Sequence, residues 1–213
     1  MAMTIDSLAK LLKKVLGADF PFHVNREHRR LLCMVPCDSY RDANGNNSVE
    51  MHLVLSPDGR YVEVQTSRLY NLQGCEHTYS VLRLLLGVCW RTNVVQFSVD
   101  ESDGEIQASA EMILADNTLT PEQLRDVLGT LLLVVDSYHP HIEEAMQTGA
   151  VTFPDEPEVR SVLPSAGGDE PPGKAALDVD TEGTLRAMIQ GARERAKSAW
   201  GEAKPAIDVI RHW

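Results

Sequence analysis

The sequence predicts an α+β fold in which helices cover an antiparallel sheet. Two pairs of segments alternate apolar and polar residues, and a short turn joins each pair, at 56–59 and at 102–105. Such turns between alternating segments are typical of antiparallel hairpins. Three other segments, placed before, between and after the hairpins, have apolar residues at helical spacing. Because the order lacks the repeated strand–helix–strand unit of a parallel sheet, an antiparallel sheet with helices is expected.

The predicted elements follow in the order α-βββ-α-ββ-α. Helices are predicted where apolar residues recur every three or four positions, at 4–16, 75–89 and 120–148. Five strands are predicted from alternating segments rich in β-branched and other apolar residues, at 29–35, 49–55, 61–66, 95–99 and 106–114. The middle helix has a wide apolar face, formed by Tyr79, Leu82, Leu85, Leu86 and Cys89.

The last helix has the clearest boundaries. Thr120 is the expected N-cap, Pro121 occupies the first helical position, and Gln123 completes a capping box. An apolar stripe then runs along the helix and needs a surface to cover. Pro140 lacks a backbone N–H, so a kink or an interruption is predicted near 138–141.

The chain is predicted to have three parts with different charge. Residues 1–149 form a domain of net charge −8, residues 150–182 an acidic, proline-rich linker of −6, and residues 183–213 a basic amphipathic helix of +3. The net charge of −11 argues against nucleic acid as a partner, because phosphate binding needs concentrated Lys and Arg. The N-terminus lacks the layout of a secretory signal, and a cytoplasmic location is predicted.

No catalytic residue is predicted among the cysteines. Cys33 and Cys37 have three intervening residues and Cys75 and Cys89 have thirteen, spacings that fit no common zinc site. Cys75 and His77 lie two positions apart, where helical side chains point in different directions and make a poor nucleophile and base.

The histidines at 139 and 141 are the other candidates for chemistry. They can offer imidazoles to a metal, but the sequence suggests no third ligand nearby, and exposed histidines on a kinked helix are expected instead. The protein is therefore predicted not to be an enzyme and to need no metal or cofactor.

The order of elements resembles the fold of type III secretion chaperones and of the related YbjN-like domains, over about residues 5–148. The resemblance is more specific over 82–133, where a leucine-rich helix leads to Asn93, the run F-S-V-D with a D-G turn, and L-T-P-E-Q-L into the last helix. It implies a bacterial, chaperone-like or adaptor module that binds a segment of a partner protein, and a homodimer. The family has no catalytic signature to transfer.

A contact surface for a partner or a second copy is predicted on the last helix, which has more apolar surface than one sheet face is expected to cover. The predicted contact residues are Leu131, Leu132, Val135, Tyr138 and Ile142.

The C-terminal helix is predicted to dock on the acidic body or on a partner, and to make at most weak contact with a membrane. Its predicted contact residues are Leu185, Met188, Ile189, Trp200 and Trp213. Two alternatives remain open at this stage: a peripheral membrane protein attached through this helix, and a thiol- or metal-dependent enzyme.

Overall fold

The computed structural model describes residues 2–92, 94–114 and 118–154, which form three helices and seven strands. The helices are α1 (Ile5–Leu16), α2 (Thr78–Arg91) and α3 (Pro121–Thr148). The strands are β1 (His23–Asn25), β2 (Arg30–Pro36), β3 (Ser48–Leu55), β4 (Tyr61–Thr66), β5 (Tyr70–Asn71), β6 (Val95–Val99) and β7 (Glu105–Ile113). The predicted linker, the basic helix and its contact residues Leu185, Met188, Ile189, Trp200 and Trp213 lie outside the described residues, apart from 150–154.

All strand pairs of the sheet are antiparallel. Strands β1 to β4 are neighbours in chain order, and β4 then pairs with β7. Ile106 of β7 pairs with Tyr70 on one side and with Val99 on the other, so β5 and β6 flank β7. Strands β1 and β6 are therefore the edges of the described sheet.

The predicted α+β class is confirmed, and the strand count is corrected from five to seven. The two additional strands, β1 and β5, have three and two residues. Segments this short contain too few residues to show a repeated alternation, which is why the sequence pattern does not reveal them. β5 follows Arg68, whose φ of 54° places it in the left-handed region and turns the chain after β4.

Helix α3 confirms the predicted capping and corrects the predicted interruption. Thr120 accepts a hydrogen bond from the Gln123 N–H, and the Gln123 side chain accepts one from the Thr120 N–H, at 3.2 and 3.0 Å. The helix continues through Pro140 for 28 residues. Contacts of Asp136 and His139 with residues 39–41 hold the helix on the N-terminal side of the proline, and Ile142 is buried on the other side.

The three helices cover one face of the sheet. On this face the inward residues of β3 and β4 are fully buried, for example Met51, Leu53 and Val64. Helix α3 contacts both α1 and α2, so it lies between them. The core therefore has two layers, with α3 at the middle of the helical layer.

Candidate protein-binding surface

The outer side of α2 carries large apolar side chains that the described protomer leaves uncovered. Tyr79 is 80% exposed, Leu86 is 72% exposed and Trp90 is 89% exposed. With Arg83 they recur at spacings of four, three and four residues, which places all four on one side of a helix. This row, the α2 stripe, is roughly 16 Å long at 1.5 Å per residue.

The opposite side of α2 explains why the stripe faces outward. Val81, Leu84, Leu85 and Val88 are buried against the rest of the core. Helix α2 thus carries apolar residues on both sides, although only one side has a partner within the described chain. Exposed apolar patches of this kind mark interaction sites in soluble proteins.

The chain that follows α3 borders the stripe. Gly149 ends α3 in the left-handed conformation, and a Cβ placed there would come within 2.9 Å of His77 Nδ1. Phe153 then lies on Gly87, where an added Cβ would be 2.5 Å from the ring. The Arg91 guanidinium sits 4.3 Å from the centroid of the same ring. The first residues of the predicted linker therefore run along α2.

The structure places the interface residues predicted on α3 inside the protomer. Leu131 and Ile142 are fully buried, and the largest exposed fraction in the set is 8%, at Tyr138. The physical reason is that α1 and α2 flank α3 on both sides, so its surplus apolar surface is already covered. The full set, Leu131, Leu132, Val135, Tyr138 and Ile142, belongs to the core of the described protomer.

His139, predicted to be exposed on α3, belongs to a buried polar cluster. Asp136 Oδ1 accepts hydrogen bonds from the Ser39 and Tyr40 N–H groups at 2.8 and 2.9 Å. His139 Nε2 accepts one from the Arg41 N–H at 3.3 Å, so its proton is on Nδ1, which is 3.0 Å from the Tyr70 hydroxyl. These bonds attach the loop after β2 to α3.

The environment of His139 favours its neutral form. Burial lowers the pKa of this imidazole, Arg41 lowers it further, and the carboxylates of Glu143 and Asp136 act in the opposite direction. His141 is separate, with Nδ1 2.8 Å from the Thr152 hydroxyl. The two histidines predicted as a possible metal pair thus have different partners, and the described residues contain no group of three or more metal-ligating side chains.

The cysteines are distributed as packing residues. Cys33 and Cys37 are buried, and burial raises the pKa of the Cys33 thiol to about 12. Cys75 lies before α2, where its Sγ is 3.8 Å from the Met146 carbonyl oxygen, and Cys89 Sγ accepts from the Phe97 N–H at 3.3 Å. Because a thiol, not a thiolate, is favoured at Cys33, that residue is poorly suited to nucleophilic work.

Sequence reasoning missed the α2 stripe although its signal was present. The helical spacing predicts Tyr79 and Leu86 on the same apolar face as Leu85, whereas Leu85 is buried and the other two are exposed. A helix with apolar residues around most of its circumference has more surface than one neighbour can cover. Trp90, the most exposed of the three, lies outside the predicted face.

The described helices include none that is long and apolar enough to cross a membrane. This observation concerns the described ranges alone.

Comparison with known proteins gives matches to solved structures. No family model matches the chain, and no curated protein matches it. A chain in the crystal structure of the ExsC–ExsE complex aligns with a TM-score of 0.48 and 19% identity, over 67% of this chain and 97% of that one. YbjN from E. coli aligns with a TM-score of 0.47 and 11% identity, over 66% and 95%. The chain is thus similar to both proteins over about two thirds of its length.

Proposed function

We propose that this protein is a non-enzymatic module, chaperone-like or adaptor in kind, that binds a segment of another protein through the α2 stripe. The observation that carries the proposal is the exposure of Tyr79, Leu86 and Trp90 on one side of a rigid helix. Tyrosine and tryptophan are enriched among the residues that dominate binding energy at protein interfaces. Their rings offer a large contact area at low cost in conformational entropy.

The geometry of the stripe favours an amphipathic helix as the bound segment. Its residues are spaced along roughly 16 Å of helix, which matches three turns of a partner helix that presents residues at i, i+4, i+7 and i+11. Arg83 lies among them and can bind a carboxylate of the partner. The expected ligand is therefore an amphipathic helix that presents a carboxylate or an aromatic ring to Arg83.

A second copy of the chain is one partner that fits this surface, and we include a homodimer in the proposal. In an antiparallel pair of α2 helices that crosses near Leu86, Trp90 of each copy approaches Arg83 of the other. A cation–π contact of this kind contributes about 0.5 to 2 kcal/mol, and a twofold axis forms it twice. The predicted dimer face thus moves from α3 to α2.

The oligomeric state tests the dimer directly. Sedimentation equilibrium of the full chain at micromolar concentration is expected to give a dimer, and the double variant Leu86→Ser, Trp90→Ser is expected to give a monomer. Truncation of one central interface residue weakens binding by roughly 30-fold, and serine gives Arg83 of the other copy no carboxylate to bind. A wild-type monomer would remove the homodimer from the proposal.

Partner binding is tested separately. Full-length protein used as bait in extract of the source cells is expected to capture a partner that the double variant fails to capture. Met34→Ser is the matched control, because Met34 is 45% exposed and lies on β2, away from α2. Equal capture by wild type and the double variant would show that the stripe is not the binding surface. Urea unfolding of each variant verifies that the fold is retained.

A further inference from the structure

A second apolar surface lies on the side of the sheet that faces away from the helices. Ile113 at the end of β7 is 83% exposed and pairs with Tyr61 of β4. The next pair on the same face is Glu63 of β4 with Glu111 of β7. Glu63 also pairs with Val54 of β3 on its other side. These five residues form the sheet patch. It lies on a different part of the molecule from the α2 stripe.

The sheet patch combines apolar surface with an unbalanced pair of carboxylates. Glu63 and Glu111 are direct cross-strand neighbours, and like charges placed directly opposite each other destabilise a sheet. Burial and the neighbouring Glu111 raise the pKa of Glu63, and Arg30 on β2 acts in the opposite direction. A cationic group placed over this pair would relieve the repulsion.

The sequence continues for a long distance beyond the point where the described chain ends. Pro154 follows Phe153, which packs on α2, and residues 155–213 come after it. A random-coil chain with the number of residues between 154 and 183 has an end-to-end distance of roughly 30 Å, which is enough to reach other surfaces of the same protomer. The last 31 residues, 183–213, have a net charge of +3 and carry Leu185, Met188 and Ile189 at helical spacing.

The charges of the two exposed apolar surfaces indicate which of them this segment docks on. The α2 stripe includes Arg83 and is bordered by Arg91, so it repels a basic segment. The sheet patch has two carboxylates against the one guanidinium of Arg30 beside it, so its net charge is negative and attracts the segment. Attachment through a linker raises the local concentration of the segment to the millimolar range, so modest affinity suffices for docking.

We propose that residues 183–213 dock on the sheet patch of the same chain. Leu185, Met188 and Ile189 pack on Ile113 and Val54, and the basic residues of the segment lie over Glu63 and Glu111. The docked segment shields the patch while the α2 stripe stays accessible. The proposal does not depend on the function assigned to the stripe.

Carbodiimide cross-linking of the full chain tests the proposal, because this reagent joins a lysine amine directly to a carboxylate. We expect peptides that link Lys197 or Lys204 to Glu63 or Glu111. An equimolar mixture of ¹⁴N- and ¹⁵N-labelled chains assigns each link to one chain or to two. Links within one chain are expected, and links only between chains would overturn the proposal in favour of a second copy.

Variants in residues 183–213 and variants in the sheet patch test the proposed contact from both sides. In the segment 183–213, a triple variant is expected to abolish the links to Glu63, while both lysines remain available. Its substitutions are Leu185→Asp, Met188→Asp and Ile189→Asp. The matched control introduces the same three charges in the linker, as Ala166→Asp, Ala175→Asp and Ala176→Asp, and is expected to retain the links.

On the body, Ile113→Arg is expected to abolish the links to Glu63, because the apolar contact is lost and the new guanidinium repels a basic segment. Met34→Arg, at the far end of the same side of the sheet, is expected to retain them. Links that persist in Ile113→Arg, or that join the lysines mainly to Glu76 beside α2, would overturn the proposal. Flotation of the full chain with phosphatidylserine vesicles in the absence of these links would assign the segment to a membrane surface instead.

Discussion

Helices α2 and α3 are both rich in apolar residues, but they use them differently. α3 lies between α1 and α2 and buries a wide face, whereas α2 buries one side and exposes Tyr79, Leu86 and Trp90. The difference shows that apolar content alone does not reveal whether a helix contributes to the core or to an interface. Position in the helical layer decides, because a central helix has neighbours on both sides and a peripheral helix has one.

Truncation of one leucine in each helix gives the largest expected contrast. Leu131→Ala on α3 removes a fully buried side chain, and its transfer and cavity costs together should lower the free energy of unfolding by about 2 to 5 kcal/mol. Leu86→Ala on α2 should change it by no more than about 0.5 kcal/mol. Urea unfolding of both variants at low micromolar concentration measures the difference.

The dimer proposed above affects how this contrast is measured. If two copies pair through α2, Leu86→Ala also lowers the apparent stability at high protein concentration, by mass action. Repeating the titration over a tenfold range of concentration separates the two contributions. A cost at Leu86 that equals the cost at Leu131 and does not vary with concentration would contradict the assignment of α2 as a half-covered helix.

Local sequence features predicted the parts of the fold that local physics decides. The capping box of Thr120 and Gln123 depends on residues three positions apart, and it was predicted and is confirmed. The placement of Leu131 and Leu132 depends on two other helices that pack against α3, which periodicity within α3 does not encode. The same limit applies to Trp90 on α2, since its exposure is decided by the absence of a neighbouring element among the described residues.

Polar interior groups are a second difference between the two helices. Among the described residues α3 buries Asp136 and His139, whereas the buried residues of α2 are all apolar. No sequence motif marks these two side chains as partners of residues 39–41, because the contacts span nearly one hundred residues. Such long-range hydrogen bonds become visible when the tertiary structure is known.

The buried imidazole of α3 predicts a pH dependence of stability. The folded-state pKa of His139 lies below the ordinary value of 6.5, so below pH 6.5 the unfolded chain binds the proton first. The contribution of neutral His139 is therefore complete above pH 6.5 and is lost as the pH falls toward the folded-state pKa. The slope from this one group is at most about 1.4 kcal/mol per pH unit.

Urea unfolding at several pH values between about 7.5 and 5 tests this dependence, because this range includes the ordinary histidine pKa. His139→Gln is expected to be less stable at pH 7.5 and to show a flatter pH profile than wild type. His141→Gln, on the same helix with its ring bonded to Thr152, is the control and should keep the wild-type slope. An unchanged slope in His139→Gln would show that other groups cause the dependence.

The two helix starts give the smallest expected contrast. Thr120 caps α3 with a side-chain hydrogen bond, and the N-cap of α2, His77, makes no such bond. Thr120→Ala should therefore lower the free energy of unfolding by about 1 kcal/mol, because the Gln123 N–H loses its acceptor. His77→Ala should cost less than about 0.5 kcal/mol, since no capping bond is lost. Equal costs in urea unfolding would mean that the contact of His77 with Gly149 stabilises α2 as much as a capping bond does, and that the chain after α3 helps to hold the start of α2 in place.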